Sequence, residues 1–151
     1  HVTGVQKCAL PIWSVHPWKF EGNVQETKLN ADAFEDEVRC LLSARGVVFE
    51  TEEQQLAVFR DTGLRGPTPD FLIRTTLTIN HQEVRWIEVK NFYGAGVVQG
   101  IKPWMPTIKA KEQMAKYGDA HGPGAVVLRW GYSEAFQRRM PPSVQALAAG
   151  H

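Results

Sequence analysis

The sequence predicts a single α/β domain in which helices flank a mixed central β-sheet. Its 151 residues suffice for one hydrophobic core. A hydrophobic fraction of 43% and a charged fraction of 22% are ordinary for a globular protein. Helix-like and strand-like segments alternate in the order α-β-loop-β-β-α-β-α, which is typical of such a sheet. No apolar run approaches the roughly 20 residues of a membrane span, so no membrane partner is expected.

The first dozen residues are interpreted separately from the domain. The segment "VTGVQKCALPI", residues 2–12, resembles the translation of a common sequencing adapter, with Lys7 where that translation has threonine. We therefore expect residues 1–12 to be an artefact and the domain to occupy residues 13–151, with its core at about 31–139. A genuine N-terminal tail is the alternative. If the segment is an artefact, the native N-terminus is missing, so the expected intracellular compartment, nucleus or cytoplasm, stays open.

A helix is predicted over residues 31–46, because apolar side chains recur there at helical spacing. Asn30 or Asp32 could cap its start, and Gly46 is suited to its end. The apolar positions are Phe34, Val38, Leu41 and Leu42. The segment 47–53 then predicts a short strand.

The middle of the chain predicts a β-hairpin. Residues 54–69 indicate irregular structure or a short helical turn before a loop rich in glycine and proline. Residues 71–79 and 84–91 are rich in β-branched and aromatic side chains, and the "NHQE" between them suits a hairpin connection. Repeated glycines and prolines predict a further loop over residues 94–106.

The C-terminal part predicts two helices around one strand. The first helix is expected over residues 107–117, and the "AVVLRWGY" of residues 125–132 is typical of a buried strand. Ser133 could cap a last helix through residue 139, since the Pro-Pro pair at 141–142 would end it.

Two carboxylates and one amine are expected to meet at the end of the predicted hairpin. Side chains alternate faces along a strand, so Glu88 and Lys90 point the same way while Ile87 and Val89 face the opposite side. Asp70 opens the partner strand, and antiparallel pairing would bring it beside Glu88. The alternative is structural: Asp70 would cap a turn, and Glu88 would form a surface pair with Lys90.

This constellation suits a divalent cation and phosphodiester chemistry. Converging carboxylates repel each other unless a cation lies between them. Mg²⁺ is commonly held by one or two carboxylates together with phosphate oxygens of a substrate. Lys90 could orient the attacking water or stabilise negative charge in the transition state. The residues therefore predict a Mg²⁺ site, with Mn²⁺ as a substitute, that hydrolyses phosphodiester bonds.

Further candidate residues lie on the flanking elements. Glu35 borders the apolar face of the first helix, and Glu53 ends the predicted strand before the hairpin; either could reach the cation or simply be solvated. Lys109, Gln113 and Lys116 share one face of the next helix, which suits phosphate contacts. Solvated lysines are the commoner explanation for such a face.

The ordered motifs resemble a known family. Thr68-Pro69-Asp70, the strand "WIEVK" and the pattern Q-x-x-x-Y…GPG-x-V-V-x-x-W-G-Y are similar to the TPD-motif family of the PD-(D/E)xK nuclease superfamily, whose animal members are codanin-interacting nucleases. The resemblance runs from about residue 31 to 133. It implies a restriction-endonuclease-like core and metal-dependent cleavage of nucleic acid, with DNA favoured over RNA.

The resemblance also implies roles for individual residues. Asp70, Glu88 and the backbone carbonyl of Val89 would bind the metal, and Lys90 would be the catalytic amine. Glu35 matches the superfamily's helix glutamate, and Gln113 matches a position that lines the same cleft. Helical segments that precede the nuclease in eukaryotic relatives are not recognisable here. A homo-oligomer or a codanin-like partner could supply substrate contacts, because the formal net charge is only +1.

Two classes of function follow from these residues. The first is a metal-dependent nuclease that acts on DNA, or on RNA by the same chemistry. The second is a module on a nuclease fold that binds nucleic acid or protein without cutting. Binding of Mg²⁺ or Mn²⁺ would favour the first. The presence of Asp70 and Glu88 also favours it, because a pure binding module has no need to crowd carboxylates beside a phosphate.

Overall fold

The computed structural model of the chain describes residues 24–98, 102–103 and 105–149. They belong to two compact units, one that ends at Gly46 and one that begins at Val47. The segment 1–12, interpreted above as an adapter artefact, lies outside the described residues. No helix in the described ranges combines the length and the apolar character that crossing a membrane requires.

The N-terminal unit contains α1 (Val24–Ala44). The predicted start at Asn30 or Asp32 is wrong, because both residues lie inside the helix. No glycine or proline interrupts residues 24–44, and good helix formers such as Glu26 extend it towards the N-terminus. Its buried apolar side chains are Phe34, Val38, Cys40 and Leu42, whereas Leu41, predicted to belong to the apolar face, is exposed. Gly46 follows the helix with φ +74°, which confirms its expected role.

The larger unit is built on a five-stranded mixed sheet. In chain order, its elements are β1 (Phe49–Thr51), α2 (Glu52–Thr62), β2 (Phe71–Ile73), β3 (Thr78–Ile79), β4 (Gln82–Glu83), β5 (Trp86–Lys90), β6 (Val97–Val98), β7 (Lys102–Pro103), α3 (Met105–His121), β8 (Gly124–Leu128), α4 (Glu134–Arg139) and β9 (Val144–Ala148). The strand order is β1-β2-β5-β8-β9. β1, β2 and β5 pair antiparallel, and β5, β8 and β9 pair parallel. The predicted mixed α/β sheet is confirmed.

The predicted hairpin is divided into two parts. β2 pairs with β5 next to Asp70, and β3 pairs with β4 at the other end of the hairpin, where Asn80 and His81 both have positive φ. Two positive φ values in a two-residue connection are what a type I′ hairpin turn requires. Residues 74–77 interrupt the first predicted strand. The pairing stays antiparallel, but its register shifts by three residues between the two parts.

α2 is longer than the short turn predicted for this segment. Thr51 caps it: the Thr51 hydroxyl accepts a hydrogen bond from the Gln54 N–H, and the Gln54 side chain accepts one from the Thr51 N–H. This capping box stabilises the first turn. The only buried side chain on the helix is Gln55, so apolar periodicity could not predict it.

Two further predictions near the C-terminus need correction. Residues 94–106 were expected to form a loop, but β6 and β7 pair antiparallel there and α3 begins at Met105. The sequence did not predict β9, because its alanines have low strand propensity. Val144 and Ala146 are buried while Gln145 and Leu147 are half-buried, which gives β9 one inward face. The cap of α4 at Ser133 is confirmed.

A hydrophobic cluster of this unit lies on the face of the sheet that α3 and α4 cover. Leu72 from β2, Trp86 from β5 and Val126 from β8 pack there against Met114 of α3 and Phe136 of α4. The indole of Trp86 donates to the Gly122 carbonyl, 2.8 Å away. Because side chains alternate along a strand, Glu88 and Lys90 of β5 lie on the same face of the sheet as Trp86.

Candidate functional site

Asp70 and Glu88 face each other across the end of the β2–β5 pair. Phe71 of β2 pairs with Ile87 of β5. Asp70, the residue before β2, therefore lies opposite Glu88, the residue after Ile87. The Asp70 N–H donates to Glu88 Oε1 at 2.9 Å, and the Val89 N–H donates to Asp70 Oδ2 at 2.8 Å. Each carboxylate thus binds the backbone of the other strand. The convergence of these two acids, expected from the sequence, is confirmed.

Lys90 joins the pair from the same face of β5. Its Nζ lies 3.3 Å from Glu88 Oε2 and donates a hydrogen bond of 2.7 Å to Gln113 Oε1 on α3. Ile87, by contrast, is buried on the opposite face, as alternation predicts. The ammonium group is therefore held between the buried acid and the α3 amide. Its role in chemistry stays a prediction.

Tyr117 is a site residue to which the sequence reasoning assigned no role. Its hydroxyl donates to Glu88 Oε2 at 3.3 Å, and its ring meets the Trp86 ring edge-on at 5.1 Å between centroids. Tyr117 lies one helical turn after Gln113, so both side chains descend from α3 onto successive inward residues of β5. The four-residue spacing between Gln113 and Tyr117 was the feature of the sequence from which this contact could have been predicted.

The segment before Asp70 is held by side chains from two helices. Buried Gln55 of α2 donates to the Pro69 carbonyl at 2.9 Å and to the Glu50 carbonyl at 3.2 Å. From α3, the His121 ring lies 3.1 Å from the Pro67 carbonyl. These contacts fix the backbone that carries Asp70, and the sequence did not predict them.

Burial and charge raise the pKa of Glu88 to about 8. The largest cause is loss of solvent, followed by repulsion from Asp70; Lys90 and the Asp70 N–H act in the opposite direction. The pKa of the Tyr117 hydroxyl is also raised, by burial first and then by the negative charge of Glu88 and Asp70. Tyr117 is thus a neutral hydrogen-bond donor at physiological pH.

The donor set fits a hard divalent cation. Two carboxylates in contact, one of them buried, favour a cation that screens their repulsion. The N–H and C=O of a strand residue project to the same side, so the Val89 carbonyl projects to the side on which its N–H meets Asp70. Within the described ranges, no three His, Cys, Asp or Glu side chains form a group that could hold a metal. Mg²⁺ suits a site with few protein ligands, since it keeps several waters.

The remaining candidates lie on α1, α2 and α3. Glu35 lies half-buried on α1, in the N-terminal unit, and its role stays a prediction. Glu53 lies exposed in the first turn of α2 rather than at a strand end. Its neighbour Glu52 instead accepts a hydrogen bond of 3.3 Å from the Thr68 hydroxyl. Lys109 and Lys116 are exposed on α3, which leaves them accessible to a phosphate.

Replacing Tyr117 with phenylalanine is expected to destabilise the protein by about 0.5–1.5 kcal/mol, the usual net contribution of one hydrogen bond. The ring contact with Trp86 would be kept and only the hydrogen bond to Glu88 lost. Urea unfolding at pH 7 would measure the change. Tyr132→Phe is the matched control, since Tyr132 contacts Phe136 through its ring. Equal stability of the two variants would contradict a role for the Tyr117 hydroxyl.

A comparison with protein families identifies the chain. The family model described as "Protein of unknown function TPD sequence-motif" matches residues 19–147. No match was found among curated proteins or among solved structures. The matched region includes Thr68-Pro69-Asp70 and the whole cluster described above. Because the match covers most of its length, the chain belongs to the TPD-motif family.

Proposed function

We propose that the chain is a metal-dependent nuclease of the PD-(D/E)xK type, with a restriction-endonuclease-like core, which hydrolyses phosphodiester bonds of DNA. The observation that carries this proposal is the contact among Asp70, Glu88 and Lys90 at one end of the β2–β5 pair. A mixed sheet whose central strand carries Glu-x-Lys supports it, as does membership of the TPD-motif family.

Asp70, Glu88 and the Val89 carbonyl would hold Mg²⁺ or Mn²⁺. When bound, the cation supplies a water of lowered pKa and neutralises charge on the phosphoryl group. The protein supplies orientation: the Val89 N–H fixes the Asp70 carboxylate, and the Asp70 N–H fixes Glu88. Pre-oriented charges of this kind act without reorganisation during the reaction.

Lys90 would stabilise the negative charge that develops on the phosphate and orient the attacking water. Gln113 accepts a hydrogen bond from the Lys90 Nζ and so limits the positions that the ammonium group can adopt. Lys109 and Lys116 would contact phosphates further along the substrate. A homo-oligomer or a codanin-like partner inside the cell would add contacts, since the formal net charge of +1 offers little general attraction to DNA.

A module that binds without cutting is the alternative. It is favoured by one observation: Glu88 accepts hydrogen bonds from Asp70 and Tyr117 and pairs with Lys90, so protein groups alone already satisfy its carboxylate. Such a network could stabilise the fold with no cation.

Incubation of the purified chain with end-labelled substrates separates the two functions. The substrates are single-stranded, duplex, flap and four-way DNA and a matched RNA, each with Mg²⁺ and with EDTA. A nuclease is expected to release labelled fragments with Mg²⁺ or Mn²⁺ only. Absence of cleavage on every substrate, together with no Mg²⁺ binding below millimolar concentrations in calorimetry, would reject the nuclease and favour the binding module.

A further inference from the structure

Two adjoining surface clefts lie against the segment that leads into Asp70. One, of about 550 Å³, lies between residues 65–67 and the last turns of α3, with Lys116 at its wall. The other, of about 520 Å³, lies between the end of α2 and the turn that follows it. Arg65 and Gly66 line both clefts, so the two clefts adjoin, and we refer to them together as the groove.

The walls of this groove carry accessible positive charge. Arg60, Arg65 and Lys116 are exposed, and none of them pairs with a carboxylate within the part of the chain that the structure describes. Arg74, by comparison, pairs with Glu50 at 2.9 Å. One acid, Asp119, also lines the first cleft, so the groove remains positive by two charges. An anionic ligand of extended shape is therefore favoured.

The second cleft adds an apolar and aromatic surface. Leu56 and Leu64 are 42% and 66% exposed, and the half-buried Phe59 ring lies against Gly66. A duplex presents phosphates and keeps its bases stacked inside, so it leaves such a surface uncovered. Unpaired bases cover aromatic and apolar side chains while their phosphates contact Arg or Lys. The combination favours a single strand over a duplex.

The groove leads to the candidate site through two short connections. Only Thr68 and Pro69 separate Pro67, which lines the first cleft, from Asp70. Lys116 directly precedes Tyr117, whose hydroxyl contacts both Glu88 and, at 3.5 Å, the Thr68 carbonyl. A strand lying in the groove would thus approach the Asp70–Glu88 pair along the segment that α2 and α3 hold in place.

We propose that this groove binds a single-stranded segment of nucleic acid, with Arg60, Arg65 and Lys116 on its phosphates and Phe59 beneath a base. The inference rests on the proposed nuclease function and specifies which part of the substrate the groove binds. An unpaired end or flap next to the scissile bond is the substrate feature that such a groove recognises.

Binding in EDTA tests the groove separately from cleavage, because EDTA removes the divalent cations that cleavage would need. Fluorescence anisotropy would compare a labelled 20-nucleotide thymidine strand with a duplex of equal length. Wild-type protein is expected to bind the single strand more tightly. Arg60→Ala/Arg65→Ala is expected to weaken that binding about tenfold and to reduce the slope of log affinity against log salt by about 1.4, at roughly 0.7 per phosphate contact. Phe59→Leu is expected to weaken it about tenfold and to leave the salt slope unchanged, since stacking carries no charge.

Arg138→Ala/Arg139→Ala removes the same charge from α4, where Arg138 is exposed and Arg139 half-buried, and serves as the matched control. Circular dichroism would verify that all variants are folded. Equal losses in the groove and control variants would overturn the proposal, as would tighter binding of the duplex or no effect of the groove substitutions. Single-strand binding that depends on the groove, without any cleavage in Mg²⁺, would uphold the groove and reject only the nuclease.

Discussion

Asp70→Asn is expected to reduce Mg²⁺-dependent cleavage at least about a hundredfold while the protein stays folded. Asparagine keeps the side-chain oxygen that accepts from the Val89 N–H, so the strand end is preserved. It removes the negative charge that, with Glu88, would hold the cation. The loss of one fixed electrostatic contact to a transition state costs about 10²–10³ in rate. Single-turnover cleavage of a labelled DNA substrate would measure the effect.

Asp61→Asn is the matched control for this variant. Asp61 is exposed near the end of α2, so the same chemical change there should leave the rate unaltered. Lys90→Ala should lower the rate as Asp70→Asn does, because the ammonium group would act on the same phosphate. Metal-dependent cleavage by Asp70→Asn at the wild-type rate would reject the assignment of Asp70 as a ligand.

Glu88→Gln is expected to stabilise the metal-free protein at alkaline pH. The pKa of Glu88 in the folded protein is about 8, above its ordinary value of 4.5. Between these two pH values the folded state binds a proton that the unfolded state has released, so stability falls as the pH rises. Below pH 4.5 both states are protonated and the penalty vanishes. At about 1.4 kcal/mol per pKa unit, the loss approaches about 5 kcal/mol well above pH 8.

Glutamine cannot ionise, so the variant should lack this dependence. The difference in unfolding free energy between Glu88→Gln and wild type is expected to rise by about 4 kcal/mol from pH 4.5 to pH 9. Urea unfolding in EDTA at intervals of one pH unit would measure it. Glu112→Gln, an exposed change on α3, should show no such trend. A difference that stays constant with pH would contradict the raised pKa.

The sequence determined the parts of the fold and site that depend on residues close together in the chain. Alternation along β5 puts Glu88 and Lys90 on one face, whatever covers that face later. Hairpin pairing brings Asp70 close to Glu88, because strands close in sequence join with little loss of chain entropy. The exact register that puts them opposite each other depends on the interruption at residues 74–77. Asp70 and Glu88 could therefore be predicted as neighbours from the 19 residues that run from one to the other.

Local sequence patterns did not predict the elements that depend on contacts with distant parts of the chain. β9 has weak strand propensity of its own and forms because β8 supplies a parallel partner for it. α2 buries a polar residue, Gln55, whose partner carbonyl at Pro69 lies 14 residues away. Apolar periodicity cannot detect a helix whose one buried side chain is polar.

What the sequence determined by itself is which charged groups this protein brings together: two acids and a lysine on adjoining strand ends, in a chain of the TPD-motif family. Tertiary structure alone decided their environment. Tyr117, 29 residues from Glu88, covers that carboxylate, and His121 reaches a carbonyl 54 residues away. Desolvation is a property of every atom packed around a group and not of its neighbours in sequence. The raised pKa of Glu88 therefore follows from the packing of α3 on the sheet.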